Sequence, residues 1–191
     1  MSRPPIRISL GFVLAVALLW GLAEASLFFV VPDVLISYVA MTRGGKAGAW
    51  ACLFAALGAA LGGAAIWLWS AIAPVSAHAA VAAVPAISER MIADAEVDMT
   101  REGWLMASLK GPLTSTPYKV YALLAPRHEV PLVAFAPAAL PVRLPRFLLV
   151  AAAFALIGGV LRQRIPRLWL IGGFTVGWVL FYGWFWLTHP G

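Results

Sequence analysis

Between Ile8 and Thr42 the chain runs apolar for about 35 residues, and its charged or helix-breaking interruptions are Glu24, Pro32 and Asp33. That length is the constraint. A straight helix crosses the hydrocarbon core of a bilayer in roughly 20 residues, so this stretch is too long for one crossing and too short for two. Both flanks are basic, with Arg3 and Arg7 before it and Arg43 and Lys46 after it. Lys and Arg concentrate on the cytoplasmic side of membrane proteins. Two basic flanks therefore favour a segment that enters, turns at Pro32-Asp33 and returns to the side it left. The alternative is one full crossing over residues 8–30 and a loop beyond it, which puts Arg43 and Lys46 on the far side against that bias.

The rest of the chain asks for the same solvent. Of its 191 residues, 62% are hydrophobic and 12% charged, with a mean hydropathy of +0.89. Soluble domains are roughly half apolar and about a quarter charged. The apolar runs are rich in Ala, Leu, Gly and Trp and lack the alternation of barrel strands, so they read as helices. The fold class expected is an all-α integral membrane protein. The net charge of +6 comes from basic residues at the ends of apolar runs, which speaks for topology and against nucleic acid as a partner. A single cysteine, Cys52, excludes an intramolecular disulfide and a cysteine-rich metal site, and His78, His128 and His189 show no ligand spacing. No metal and no cofactor is expected. The N-terminal run has the look of a signal peptide, with AEAS resembling a cleavage site. Because the apolar run continues to Met41, it reads as a retained membrane segment.

Further along, residues 47–73 form a clean span whose Gly58, Ala59, Ala60 and Gly62-Gly63 permit close helix packing. Residues 77–85 are too short to span. Residues 86–106 change character: Ile87, Met91, Ala95 and Met99 recur every fourth position among Glu89, Asp94, Glu96, Asp98 and Glu102, the pattern of an amphipathic helix. A second stretch of about 35 residues, 107–141, contains Pro112, Pro117, Pro126, Pro131 and Pro137, so no uninterrupted helix is expected through it. Residues 144–161 and 168–187 read as spans, joined by RQRIPR, the strongest cytoplasmic signal in the chain. Trp169, Trp178, Trp184 and Trp186 in the last span include candidate interfacial anchors.

The two broken stretches share a pattern. Pro32-Asp33-Val34-Leu35 and Pro117-Tyr118-Lys119-Val120 each set a proline before polar and then apolar residues, and each precedes a glycine-containing span. One crossing between them would invert the second hairpin relative to the first. Inverted repeats with broken helices are how many transporters place a site near the bilayer midplane, with freed helix N-termini favouring anions.

EASLFFVVPDVLI, the linker REGW, GPLTSTPYKVYALLA and RLPRFLLVA together resemble the DedA / VTT (SNARE-associated) membrane-protein family, most closely its YqaA-like branch. The likeness spans roughly residues 21–160. It implies an inner-membrane, multi-pass protein with two opposed re-entrant hairpins (residues 8–42 and 107–141) plus three to four transmembrane helices. It also implies handling of an anionic lipid, a polyisoprenoid phosphate or a phospholipid, with proton coupling. Lys119 stands where the better-studied members carry an arginine-bearing motif, and Pro126 and Pro145 also depart from the pattern.

Candidate site residues follow. Glu24, deep in an apolar run, is either a proton-responsive group or a structural carboxyl. Asp33 is either functional, pairing with Lys119 across the two hairpins, or a plain turn residue. Lys119 either contacts a phosphate or snorkels to the interface. Arg143 and Arg146 open a span as phosphate contacts or as interfacial anchors. Thr114, Ser115 and Thr116 either donate to a phosphate or satisfy backbone freed by the prolines. Together these residues describe a flippase that holds a lipid headgroup and leaves the tail in the bilayer, as a single chain or a homo-oligomer. The alternatives are a non-transporting membrane-assembly or envelope-integrity protein, and a lipid-phosphate enzyme, for which no nucleophile and base stand together in sequence.

Overall fold

The computed structural model describes residues 9–188, so Arg3, Arg7 and His189 lie outside the described residues. Among those described, the only regular structure is helical: α1 (Leu10–Ala25), α2 (Asp33–Arg43), α3 (Gly45–Ile72), α4 (Pro74–Ala82), α5 (Glu89–Glu102), α6 (Trp104–Thr114), α7 (Tyr118–Leu124), α8 (Leu132–Leu161) and α9 (Arg167–Thr188). Helices α3, α8 and α9 are long and apolar enough to cross a membrane. The chain is an all-helical protein suited to membrane embedding.

Small residues set the arrangement. A Cβ added at Gly58 would strike the carbonyl of Leu18, one at Gly62 that of Leu22, and one at Gly21 that of Ala55. These glycines let α1 and α3 approach backbone to backbone, as small residues do between helices in lipid. From Gly58 to Gly62 the contact moves from Leu18 to Leu22 and Ala25, so α1 and α3 run parallel. Gly44, at φ +92°, then lets the chain reverse between α2 and α3, and Ala40 lies against Gly48. Helix α8 returns antiparallel along α3, with Phe135 near Gly63, Ala151 near Gly48 and Ala155 near Gly45. Helix α7 runs parallel to α3: Tyr118 abuts Gly63, and the Ser70 hydroxyl donates to the Leu123 carbonyl at 2.6 Å.

Charge divides the two ends of this bundle. The Arg162 guanidinium donates to the Thr42 carbonyl at 3.3 Å, which gathers Arg43, Lys46 and the α8–α9 turn at one end. Helix α3 leads away from that end toward α4 and the acidic α5.

Several boundaries differ from the sequence expectation. The amphipathic helix stops at Glu102, because Gly103 adopts φ +82°, and residues 104–106 begin α6. The second broken stretch does break, at residues 115–117, where Ser115 is left-handed, and again at 125–131. Its later prolines break nothing: α8 runs on for 30 residues with Pro137, Pro141 and Pro145 inside it. All three are exposed, on the side away from Phe135, Ala139, Val142 and Phe147. Spaced by four, Pro141 and Pro145 each lack the N–H that would reach the proline one turn back. The lost hydrogen bonds therefore fall on one outer face, and the packed face stays continuous. The span expected to start at residue 144 starts at Leu132.

Candidate functional site

The buried apolar residues form two clusters. One gathers Ala25, Ala59, Ile66, Phe135 and Val142, the other Ala17, Ala55, Ala56, Ile36 and Phe147. Their seam crosses α3 between Ala56 and Ala59, the middle of that 28-residue helix, and crosses α8 between Val142 and Phe147. Arg143 and Arg146 stand in that seam. The charged groups are therefore at mid-depth in the bundle, where a membrane is driest.

Two ion pairs bracket the first helix break. Arg143 of α8 pairs with Glu24, the penultimate residue of α1. Arg146, one turn on, donates to the Asp33 carboxylate at 2.8 Å, and Asp33 opens α2. Asp33 sits at a helix N-terminus, which suits its charge. Glu24 sits at a helix C-terminus, where the backbone dipole opposes a carboxylate and a cation is needed to hold it. Arg143 supplies that cation and also lies over the Phe147 ring, 5.2 Å from its centroid. Glu24, Asp33, Lys119 and Arg143 are all buried.

The backbone between α1 and α2 cannot be left unpaired in lipid, and side chains from three other places satisfy it. Lys119 Nζ donates to the Phe28 carbonyl at 2.6 Å. Trp20 Nε1 donates to the Val30 carbonyl at 2.9 Å. The Val31 N–H donates to the Tyr182 hydroxyl at 3.1 Å. Lys119 is thus a link between the two broken segments, through a backbone carbonyl. The expected pairing of Lys119 with Asp33 is not what forms: Asp33 is taken by Arg146, and Lys119 has no carboxylate partner among the described residues. The reason is position, since α7 brings Lys119 to the middle of the break and Asp33 lies at its far end, facing α8.

A cavity of about 490 Å³ opens here. Glu24, Lys119, Arg143 and Arg146 line one part of it, with Ser115 and Thr116 from the second break. Trp178, Phe181, Tyr182, Phe185 and Trp186 of α9 line another. Counting Asp33 behind Arg146, three cations face two carboxylates, a surplus of one positive charge. Thr114 lies outside this lining; its hydroxyl donates to the Gly111 carbonyl at 3.3 Å and meets the Thr116 hydroxyl, so it serves the broken backbone.

The structure thus brings Glu24, Asp33, Ser115, Lys119, Arg143 and Arg146 to one place. Arg143 and Arg146 are each paired with a carboxylate, Arg143 in the buried interior and Arg146 with its side chain partly exposed. The α9 wall was missed. Trp178 and Trp186 read as possible membrane-surface anchors, yet Trp178 Nε1 is buried and Trp186 packs edge-on against Phe29 at 5.2 Å. The signal available was periodicity: Phe174, Trp178, Phe181, Tyr182 and Phe185 recur three and four apart, one aromatic face of a helix. Trp169 and Trp184 are the exposed ones.

No protein-family model matches this chain, and comparisons with curated proteins and with solved structures likewise find no match.

Proposed function

We propose that this chain is a multi-pass inner-membrane protein of the DedA / VTT type that translocates an anionic lipid headgroup, without covalent chemistry, through the cavity between α8, α9 and the two helix breaks. One observation carries the reading: a single cavity is lined both by an excess of cationic groups from the bundle and by aromatic rings of α9. A solvated surface would have no use for that placement. Charges inside a membrane domain are costly and mark ion or substrate paths, and irregular backbone at that depth is tolerated where it lines such a cavity.

The packing supports an inverted repeat. In each half the second arm of a broken segment, α2 or α7, lies antiparallel to the long helix that follows, α3 or α8. Each arm packs on the long helix of the other half: α2 on α8, and α7 on α3. The antiparallel α3 and α8 are what halves related by inversion would give, as in transporters whose site lies at the repeat interface. On this reading the two broken segments are re-entrant, and the end bearing Arg43, Lys46 and Arg162 is cytoplasmic.

The arriving headgroup competes for Lys119, Arg146 and Arg143. Glu24 and Asp33 hold those cations when the site is empty and take up protons as the anion replaces them. The tails stay in lipid beside α9.

Lys119→Gln tests this directly, because glutamine keeps a donor for the Phe28 carbonyl and removes the charge. In liposomes with headgroup-labelled anionic phospholipid, the variant is expected to flip lipid at least about tenfold more slowly than the parent, from the loss of one charged contact. Flipping at the parent rate by a fully folded Lys119→Gln sinks the mechanism.

A further inference from the structure

Two buried N–H donors beside the cavity have no acceptor among the described residues: Arg143 Nε and Trp178 Nε1. Both residues line the cavity, one on α8 and the other on α9. Buried donors without partners are rare and costly in a folded protein, and a pair on one cavity favours a guest rich in acceptor oxygens. A third donor stands with them. Tyr182, one turn from Trp178 and stacked with it at 5.9 Å, accepts the Val31 N–H through its hydroxyl oxygen, which leaves its own O–H free to donate. Tyr182 is also within electrostatic reach of Asp33 and Arg146, so its hydroxyl stands near the charged groups of the cavity.

We infer that Trp178 and Tyr182 form a neutral donor face on α9 that binds the phosphate oxygens of the guest in the same cavity as the cations of α7 and α8. The inference rests on the headgroup reading above. Chemistry gives the two faces different work. Lys119, Arg143 and Arg146 supply charge, which any anion would answer. An indole N–H and a phenol O–H, fixed by stacking, supply direction, and favour an oxyanion whose remaining oxygens turn away from the guanidinium groups. The rings that carry these donors are apolar on their other edges, so one helix meets both the phosphate and the first carbons of the tail.

The test is a nuclear magnetic resonance titration of the full chain labelled with 15N at its indole nitrogens, with the Trp178 signal assigned by its absence in Trp178→Phe. Three probes are added in turn: dihexanoyl phosphatidic acid, dihexanoylglycerol and inorganic phosphate. The expected result is that phosphatidic acid moves the Trp178 N–H signal downfield and dihexanoylglycerol leaves it in place. A matching shift with inorganic phosphate assigns recognition to the phosphate alone; its absence assigns it to the lipid-borne phosphate. Either upholds the donor face. In the transport assay Trp178→Phe, which keeps the ring, raises the half-saturating concentration of labelled phosphatidic acid about tenfold at an unchanged melting midpoint. If phosphatidic acid shifts other indole signals and is transported while the Trp178 signal stays fixed, the donor face is overturned and the headgroup reading stands. If the parent chain neither binds nor moves phosphatidic acid, both are overturned.

Discussion

Helices α1 and α9 stand beside the same cavity and are built from similarly apolar sequence, yet they are attached by opposite means. Helix α1 lies backbone to backbone on α3, with Gly21, Gly58 and Gly62 removing every side chain that would separate them. Helix α9 touches the bundle through rings, such as Phe174 with Tyr38 at 5.8 Å and with Phe154 at 5.9 Å, and through the Tyr182 hydrogen bond. Its Gly172, Gly173, Gly177 and Gly183 have open space where a Cβ would stand. Between helices in lipid there is no hydrophobic drive, so attachment comes from packing and hydrogen bonds. The α1 contact has the closest packing two helices allow, and α9 has far less. The cavity therefore has one fixed wall, which carries Glu24, and one wall whose attachment is local and weak. On the proposed function, a lipid entering from the bilayer needs that second kind of wall.

The strongest way to break this comparison is to insert the same bulk into both contacts. Gly58→Leu places a side chain on the Leu18 carbonyl, which is backbone and cannot move without carrying α1 with it. That variant is expected to lose the folded, monodisperse species on size exclusion in detergent, because overpacking against backbone costs more than the ~1–3 kcal/mol of an ordinary core insertion. Gly173→Leu and Gly177→Leu are expected to elute and melt like the parent. A loss of folded protein in the α9 variants would show that its glycine face is packed after all.

A smaller effect comes from the charge that fixes α1 to α8. Glu24→Gln and Arg143→Met each leave a buried partner uncompensated, expected to cost about 3–5 kcal/mol, whereas the double variant restores neutrality and costs less than the sum. Glu102→Gln is the control: it breaks the ion pair with Lys110, which is exposed and contributes at most about 1 kcal/mol. Thermal unfolding of the four variants closes the cycle. Additive single effects would mean that the Glu24–Arg143 pair is not what joins α1 to α8.

How much of this was legible in the sequence depended on range. The α3 span, a break ending at Pro32 and the break before Pro117 follow from local composition and proline chemistry, and the structure has them, together with three helices long and apolar enough to cross a membrane. Glu24 and Lys119 stood out because a charge in an apolar run is rare, and Arg143 and Arg146 because they open a span. Which carboxylate meets which cation was not legible. The pairing depends on α8 starting at Leu132 and passing its prolines outward, a tertiary outcome in which packing of the inner face overrides the lost hydrogen bonds. The same holds for α9: the aromatic periodicity was visible, but its partner lies some 150 residues away, where Val31 meets Tyr182.

The finest test concerns that single bond. Tyr182→Phe keeps the ring, and so keeps the contact with Trp178, but removes the oxygen that accepts the Val31 N–H. The orphaned N–H, part-buried beside the cavity, costs on the order of 1 kcal/mol. If α9 is attached locally, this cost appears where the bond was. Hydrogen exchange at the Val31 amide is then expected to quicken about fivefold, while exchange in α1 and α3 and the melting midpoint stay as they were. The opposite pattern, in which the whole chain melts earlier and α1 exchanges faster too, would place α9 inside the same cooperative unit as α1. The contrast between a fixed wall and a weakly attached one would then be lost, and entry past α9 would carry the full cost of opening the bundle.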